Sequence, residues 1–216
     1  MRWAMFMAFL RSFFLQTLWN FERMQNIGFA FGAAPLLNRA RRSRKAFRQA
    51  LRRHTQFFNT HPYFGPIVMG VVYVKEAAQS DEEESEEDPT LTVLKDSMGG
   101  AFGAIGDHVI WGTWRPLCAL LALGVGLLVA YPSASGGGGL QTLFDTPAAK
   151  TCAKWWVVGF LVLFNSVHLW LRWWGLKKAV EEGPGVVRWV QSLHLQAWAS
   201  QLRQFGLLLL VAMILV

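Results

Sequence analysis

Apolar residues run along most of this chain in long blocks, and the polar positions between them recur at helical spacing. Over residues 3 to 23, Phe6, Leu10, Phe13, Phe14, Leu18 and Phe21 fall on one side of a helix, and Ser12, Gln16, Asn20 and Arg23 follow one another on another side. An amphipathic helix is predicted there, its polar stripe facing water or polar protein. Arg11 interrupts the apolar run and no small-residue cleavage site follows, so a cleavable signal peptide is not expected. Met24 to Leu37 is apolar but short, with Gly28, Gly32 and Pro35 inside it, whereas a crossing helix needs about 20 residues. A re-entrant or interfacial piece is predicted. A basic helix follows, with Phe47, Ala50, Leu51, His54, Phe57 and Phe58 as its apolar stripe, running to His61, where Pro62 disfavours helical geometry in the residue before it. Phe64 to Val74 resumes an apolar run.

The pattern breaks at residues 79 to 90 (QSDEEESEEDPT), which carry acids and no base and read as a solvated loop dividing the chain into two halves. Beyond it, Met98 to Gly112 is apolar, rich in glycine and too short to cross by itself. Trp114 to Tyr131 and Trp155 to Trp174 are the two ordinary membrane crossings. The second is bracketed by Trp155, Trp156, Trp173 and Trp174, and tryptophan prefers the headgroup level. Phe205 to Val216 is again too short to span unaided.

Composition turns these segments into a class. Apolar residues make up 53% of 216 and charged residues 16%, against about 25% charged in a soluble domain, which argues for an integral membrane protein. The net charge of +7 does not redirect this to nucleic acid, because Arg39, Arg41, Arg42, Arg44, Lys45, Arg48, Arg52 and Arg53 are packed into one stretch beside apolar segments. That is the mark of a cytoplasmic loop. Cys118 and Cys152 have neither disulfide nor metal-ligand spacing and read as packing residues. His54, His61 and His108 lack the spacing that sets two ligands on one helix face, and the glycines at 136 to 139 lack the Lys and Ser or Thr of a phosphate loop. No metal, no cofactor and no catalytic residue is expected.

The fold class expected is an all-α integral membrane protein, one domain over 1–216, with transmembrane helices and re-entrant helical hairpins. Short apolar segments broken by Gly or Pro in both halves suit a transporter's binding region, since irregular backbone at membrane depth must be buried in protein or line a polar cavity. Three places carry candidate chemistry. Asn20, Glu22 and Arg23 lie within one helical turn and suit either a hydroxyl-rich ligand or a structural network that includes Arg11. Asn59 and His61 sit at a forced helix end, as ligand groups or as caps. Asp107 is an ionisable group in an apolar segment, a water-facing functional residue or a helix cap.

Three segments, RSFFLQTLWNFERMQNIG (11–28), RHTQFFNTHPY (53–63) and LKDSMGGAFGAIGDHVIW (94–111), resemble in order and spacing the IID membrane subunit of the mannose/fructose/sorbose class of sugar phosphotransferase systems (PTS). The resemblance implies a multi-pass protein of the bacterial inner membrane that joins a IIC subunit in a hetero-oligomer, bathed by membrane lipid. It implies import of a hexose coupled to phosphorylation by the soluble carriers IIA and IIB, with no phosphoryl carrier on IID itself. Asn20, Glu22, Arg23, Asn59, His61 and Asp107 are then the positions expected on the sugar path or at the IIC contact. The chain departs from the family in having His108 where Pro commonly follows the Gly-Asp pair, in its dense acidic run, and in a C-terminal region short for the family. The last feature leaves a second expectation, a reduced IID-like scaffold or regulator that binds the same partners without moving sugar.

Overall fold

A computed structural model describes residues 1–41, 43–79, 89–130 and 147–215. The acidic run at 81–88, Arg42, the glycines at 136–139 and the side chain of Cys152 lie outside the described residues. Every named element is helical: α1 Arg2–Arg11, α2 Asn26–Ala40, α3 Arg44–Arg53, α4 Gly65–Ala78, α5 Pro89–Gly106, a π-helical segment Asp107–Trp114, α6 Arg115–Ala130, α7 Pro147–Glu182, α8 Val186–Ser192 and α9 Leu195–Leu215. Two stretches are long and apolar enough to cross a membrane, Pro89–Val125 and Ala153–Met213. At 1.5 Å per residue α7 is about 54 Å long, more than the roughly 30 Å of hydrocarbon it has to cross.

The described residues form two compact units, Met1–Asp107 with His168–Leu195, and His108–Val167 with Gln196–Val216. The first holds a dense core of Phe29, Leu36, Leu37, Phe58, Phe64, Ile67, Met69 and Leu176, all fully buried. It explains two departures from the predicted helices. The amphipathic helix stops at Arg11 and passes through a 3₁₀ turn, Ser12–Phe14, where the chain packs against α2. A Cβ at Gly28 would lie 2.0 Å from the Leu15 carbonyl oxygen, so only glycine lets the two backbones meet. Ser12, placed on the polar stripe, is buried, and its carbonyl and Oγ accept hydrogen bonds from Arg172 at 2.8 and 2.9 Å. The stripe therefore meets polar protein here.

The basic helix is likewise shorter than its periodicity suggests. Ser43 opens α3 by accepting the Ala46 N–H at 3.0 Å. The helix ends at Arg53, because side chains of the 20–26 turn capture the peptide groups that would have continued it. In the second half the glycine-rich Met98–Gly112 stretch is not a short separate segment. It is helical throughout, α5 as far as Gly106 and the π-helical segment from Asp107. The last apolar run is also longer than predicted, since α9 starts at Leu195 and reaches spanning length. In the second unit Trp155 and Val162 on α7 and Leu208 on α9 stand 71%, 65% and 71% exposed, surface that needs lipid or a protein partner.

Candidate functional site

The clearest irregularity in the first unit is the stretch Phe57–His61, which is neither helix nor paired strand yet is walled in on two sides. On one side is the turn 20–26. Asn20 and Met24 exchange backbone hydrogen bonds at 3.1 and 2.9 Å, and Met24 takes φ 53°, uncommon for a residue with a side chain. The Asn20 amide braces this turn by accepting the Arg23 N–H at 2.7 Å and donating to Asn26 Oδ1 at 3.1 Å. The turn then grips the stretch. Gln25 N–H donates to the Phe58 carbonyl at 2.8 Å, Gln25 Nε2 to the Thr60 carbonyl at 2.8 Å, and Gln25 Oε1 accepts the Thr60 N–H at 3.2 Å. Asn26 Nδ2 donates to the Thr55 carbonyl at 2.6 Å. These bonds give buried peptide groups partners that a helix would otherwise supply.

On the other side is α5, which turns Gly99, Gly103 and Gly106 toward the stretch. A Cβ at Gly99 would stand 2.8 Å from the Asn59 carbonyl oxygen, and one at Gly103 would stand 3.8 Å from His61 N. At Gly106 it would stand 2.2 Å from Cγ of the His61 ring. The glycines that read as helix-breaking are thus a groove cut into a helix to receive irregular backbone. Beneath it Lys95 is buried with its ammonium 5.7 and 5.8 Å from the rings of Phe29 and Phe58.

The six predicted residues are distributed around this seam. His61 is buried, edge-on to Tyr63 with ring centroids 4.8 Å apart, and accepts the Tyr63 N–H at Nδ1. Burial, then the charge of Arg172, lower its imidazole pKa to about 4, so it is neutral at pH 7. Asn59 is exposed beside it, and Asp107 is exposed directly after Gly106. Asn20 is half-buried as the brace. Glu22 and Arg23 are exposed and pair with each other at 3.4 Å. Arg11 is not Glu22's partner, because its guanidinium lies over the Phe31 ring at 4.7 Å.

Sequence reasoning passed over Gln25 and Asn26, although Gln25 stands inside the WNFERMQ segment. It also passed over a buried ionic cluster at the far end of α4. Glu76, fully buried, accepts from Arg41 Nε at 2.9 Å, from Arg53 Nη2 at 2.9 Å and lies 2.9 Å from His54 Nε2. Arg41 also bonds to Gln79. His54, which the sequence placed on an apolar stripe, is therefore a structural partner of a carboxylate. Among the described residues no group of His, Cys, Asp and Glu is placed to hold a metal.

Gln25 carries a direct test. Gln25→Ala would strip partners from both the N–H and the carbonyl of buried Thr60, at about 1–3 kcal/mol for each group left unpaired. Thermal unfolding in detergent should show a clear drop, with faster amide exchange at Thr60. Unchanged exchange there would contradict the clasp.

A family profile described as "PTS system mannose/fructose/sorbose family IID component" matches residues 2–131, the part of the chain that holds the turn, the gripped stretch and the glycine groove. The chain belongs to this family of IID components. Among its relatives the PTS system mannose-specific EIID component of Escherichia coli strain K12 is 32% identical over 208 residues, 96% of this chain and 65% of the relative. The sorbose-specific EIID component of Klebsiella pneumoniae is 30% identical over 180 residues, 83% of this chain and 57% of that one. This IID chain therefore spans about two thirds of the length of the mannose-specific relative and less of the sorbose-specific one. Among solved structures it is similar to a chain of the mannose transporter ManYZ in complex with microcin E492, with TM-score 0.64, 29% identity, and coverage of 99% of this chain and 70% of that one. A second structure, described as a membrane protein, gives TM-score 0.72 at 29% identity with the same coverage. The IID chain is thus an all-helical membrane protein, as its long apolar helices imply.

Proposed function

We propose that this chain is the IID subunit of a mannose-type sugar phosphotransferase permease of the bacterial inner membrane. With a IIC subunit it forms the complex that brings a hexose across, and IIB phosphorylates the sugar on arrival. The observation that carries the reading is the seam: a non-helical stretch held by amide side chains in a membrane protein, with Asn59, Asp107, Glu22 and Arg23 exposed around it. Sugar hydroxyls need both donors and acceptors, and carboxylates, amides and a guanidinium supply them at fixed positions. His61 is the positioning residue, neutral and wedged against Gly106, so it orients the chain at Asn59 without bringing charge. Phosphoryl transfer is assigned to the soluble carriers.

The test is uptake of radiolabelled mannose in cells that supply IIC, IIA and IIB but lack their own IID. The chain should restore uptake. Asn59→Ala and Asp107→Asn should each reduce it by about tenfold, the loss expected from one hydrogen bond made to a desolvated sugar, while IIC still co-purifies. Uptake that is the same with and without the chain overturns transport. Co-purification of IIC and IIB without uptake would instead make the chain a scaffold.

A further inference from the structure

The first unit contains a groove of about 840 Å³ between the N-terminal end of α1 and the C-terminal end of α7, lined by none of the residues proposed for the sugar path. Its walls are apolar, from Met5, Phe6, Trp173 and Val180, and its polar rim consists of Arg2, Lys177 and Glu181. The rim sits at a recognisable level. Trp3 is 72% exposed, Trp174 stands beside Trp173 at the tryptophan-marked end of the long apolar helix, and Lys177 lies 4.8 Å over the Trp174 ring. Tryptophan and snorkelling Lys or Arg gather where hydrocarbon gives way to headgroups.

The rim charges engage each other only at long range. Lys177 and Glu181 are 3.9 Å apart with both side chains exposed, a loose contact that leaves donors and acceptors open, and Arg2 is exposed. Two side-chain cations and one carboxylate around an apolar slot match a ligand with a phosphodiester, a primary ammonium and an acyl chain. We infer that the groove binds a phospholipid with a phosphoethanolamine headgroup, its phosphate on Arg2 and Lys177, its ammonium donating to Glu181, and its acyl chain along Phe6 and Val180. A purely anionic headgroup satisfies the cations but sets Glu181 against a phosphate. Phosphatidylcholine lacks the N–H donors that Glu181 would accept. Basic sites between helices at the membrane surface are established lipid sites in general, and Glu181 is what makes this one selective for a zwitterion.

The chain is purified from detergent into nanodiscs made from equal parts phosphatidylethanolamine, phosphatidylcholine and phosphatidylglycerol, then released and weighed intact with its retained lipid. Phosphatidylethanolamine should be retained about tenfold over each of the others, the selectivity expected from one charge-assisted hydrogen bond. Glu181→Gln should shift retention toward phosphatidylglycerol, Arg2→Gln with Lys177→Gln should abolish retention, and Lys178→Gln, on the neighbouring Lys178–Glu182 pair, should change neither. Soluble phosphoethanolamine at the same concentration should not displace the lipid, since it has no chain for the apolar walls. Equal retention of the three lipids, a Glu181→Gln variant with unchanged preference, or displacement by soluble phosphoethanolamine would overturn the inference. Unaltered helical circular dichroism in each variant keeps loss of fold from being read as loss of binding.

Discussion

Replacing Glu76 by Ala should destabilise the protein by about 3–5 kcal/mol, the range seen when one partner is removed from a buried ionic group. Arg41 and Arg53 are both buried and both bond to this carboxylate, so its removal takes the Glu76 anion from two guanidinium groups in the interior. The cluster ties the end of α2, the end of α3 and the last turn of α4 together, and unfolding in detergent should lose its cooperative character in the variant. The same site sets an acid sensitivity. Burial opposes charge on Glu76, but hydrogen bonds from His54 and Arg53 outweigh it and hold the carboxyl at about 2, below its ordinary 4.5. Across that window the unfolded chain binds the extra proton, so stability present above pH 4.5 is lost as the pH falls toward 2. His54 acts in the same direction from a higher pH. Burial lowers its pKa below the ordinary 6.5, so protonation favours the unfolded chain as the pH falls below that value. Unfolding midpoints should decline as the pH falls below 6.5, through His54, and further between pH 4.5 and pH 2, through Glu76. A flat profile between pH 4.5 and pH 2 would mean that the folded state does not hold Glu76 ionised.

Gly106→Ala should be the most disruptive single methyl group along the seam. The new Cβ would stand 2.2 and 2.3 Å from Cγ and Cβ of His61, and a buried ring against a helix backbone has little room to yield. Overpacking of this kind costs about 1–3 kcal/mol. The larger effect is expected in function, because moving His61 moves Asn59 and the peptide groups gripped by Gln25. Mannose uptake should be lost while membrane insertion persists. Gly100→Ala is the control: a Cβ there meets nothing within 4 Å, and alanine gains up to about 1 kcal/mol over glycine inside a helix. If both substitutions behave alike, the glycine face is not a fitted surface.

The contrast between these two glycines shows where reading the sequence stopped. Apolar periodicity located the cores of α2 and α4 and the tryptophan-bracketed part of α7, because burial in protein or lipid is written residue by residue. Helix ends at Arg11 and Arg53 were not legible, since each is set by a group distant in sequence: Arg172 on Ser12, Gln25 on Phe58 and Thr60. Gly99, Gly103 and Gly106 were visible as glycines and read as interruptions, whereas α5 stays helical and uses their missing side chains. Glu76 was silent for a related reason. Its partners Arg41 and Arg53 are 35 and 23 residues away, a separation that follows no helical or strand repeat. Of the site, the polar character of Asn20, Asn59 and Asp107 could be read directly, but the clasp by which Gln25 and Asn26 hold residues 55–60 could not.

Amide exchange across residues 57–61, measured on the intact chain in lipid nanodiscs, tests the sheltered seam most directly. The structure predicts that Phe58 and Thr60 exchange as slowly as amides inside α4, because Arg23 and Gln25 accept their N–H groups and α5 closes the other side. Exchange at the rate of an open loop would contradict it and leave the candidate sugar path without a fixed frame.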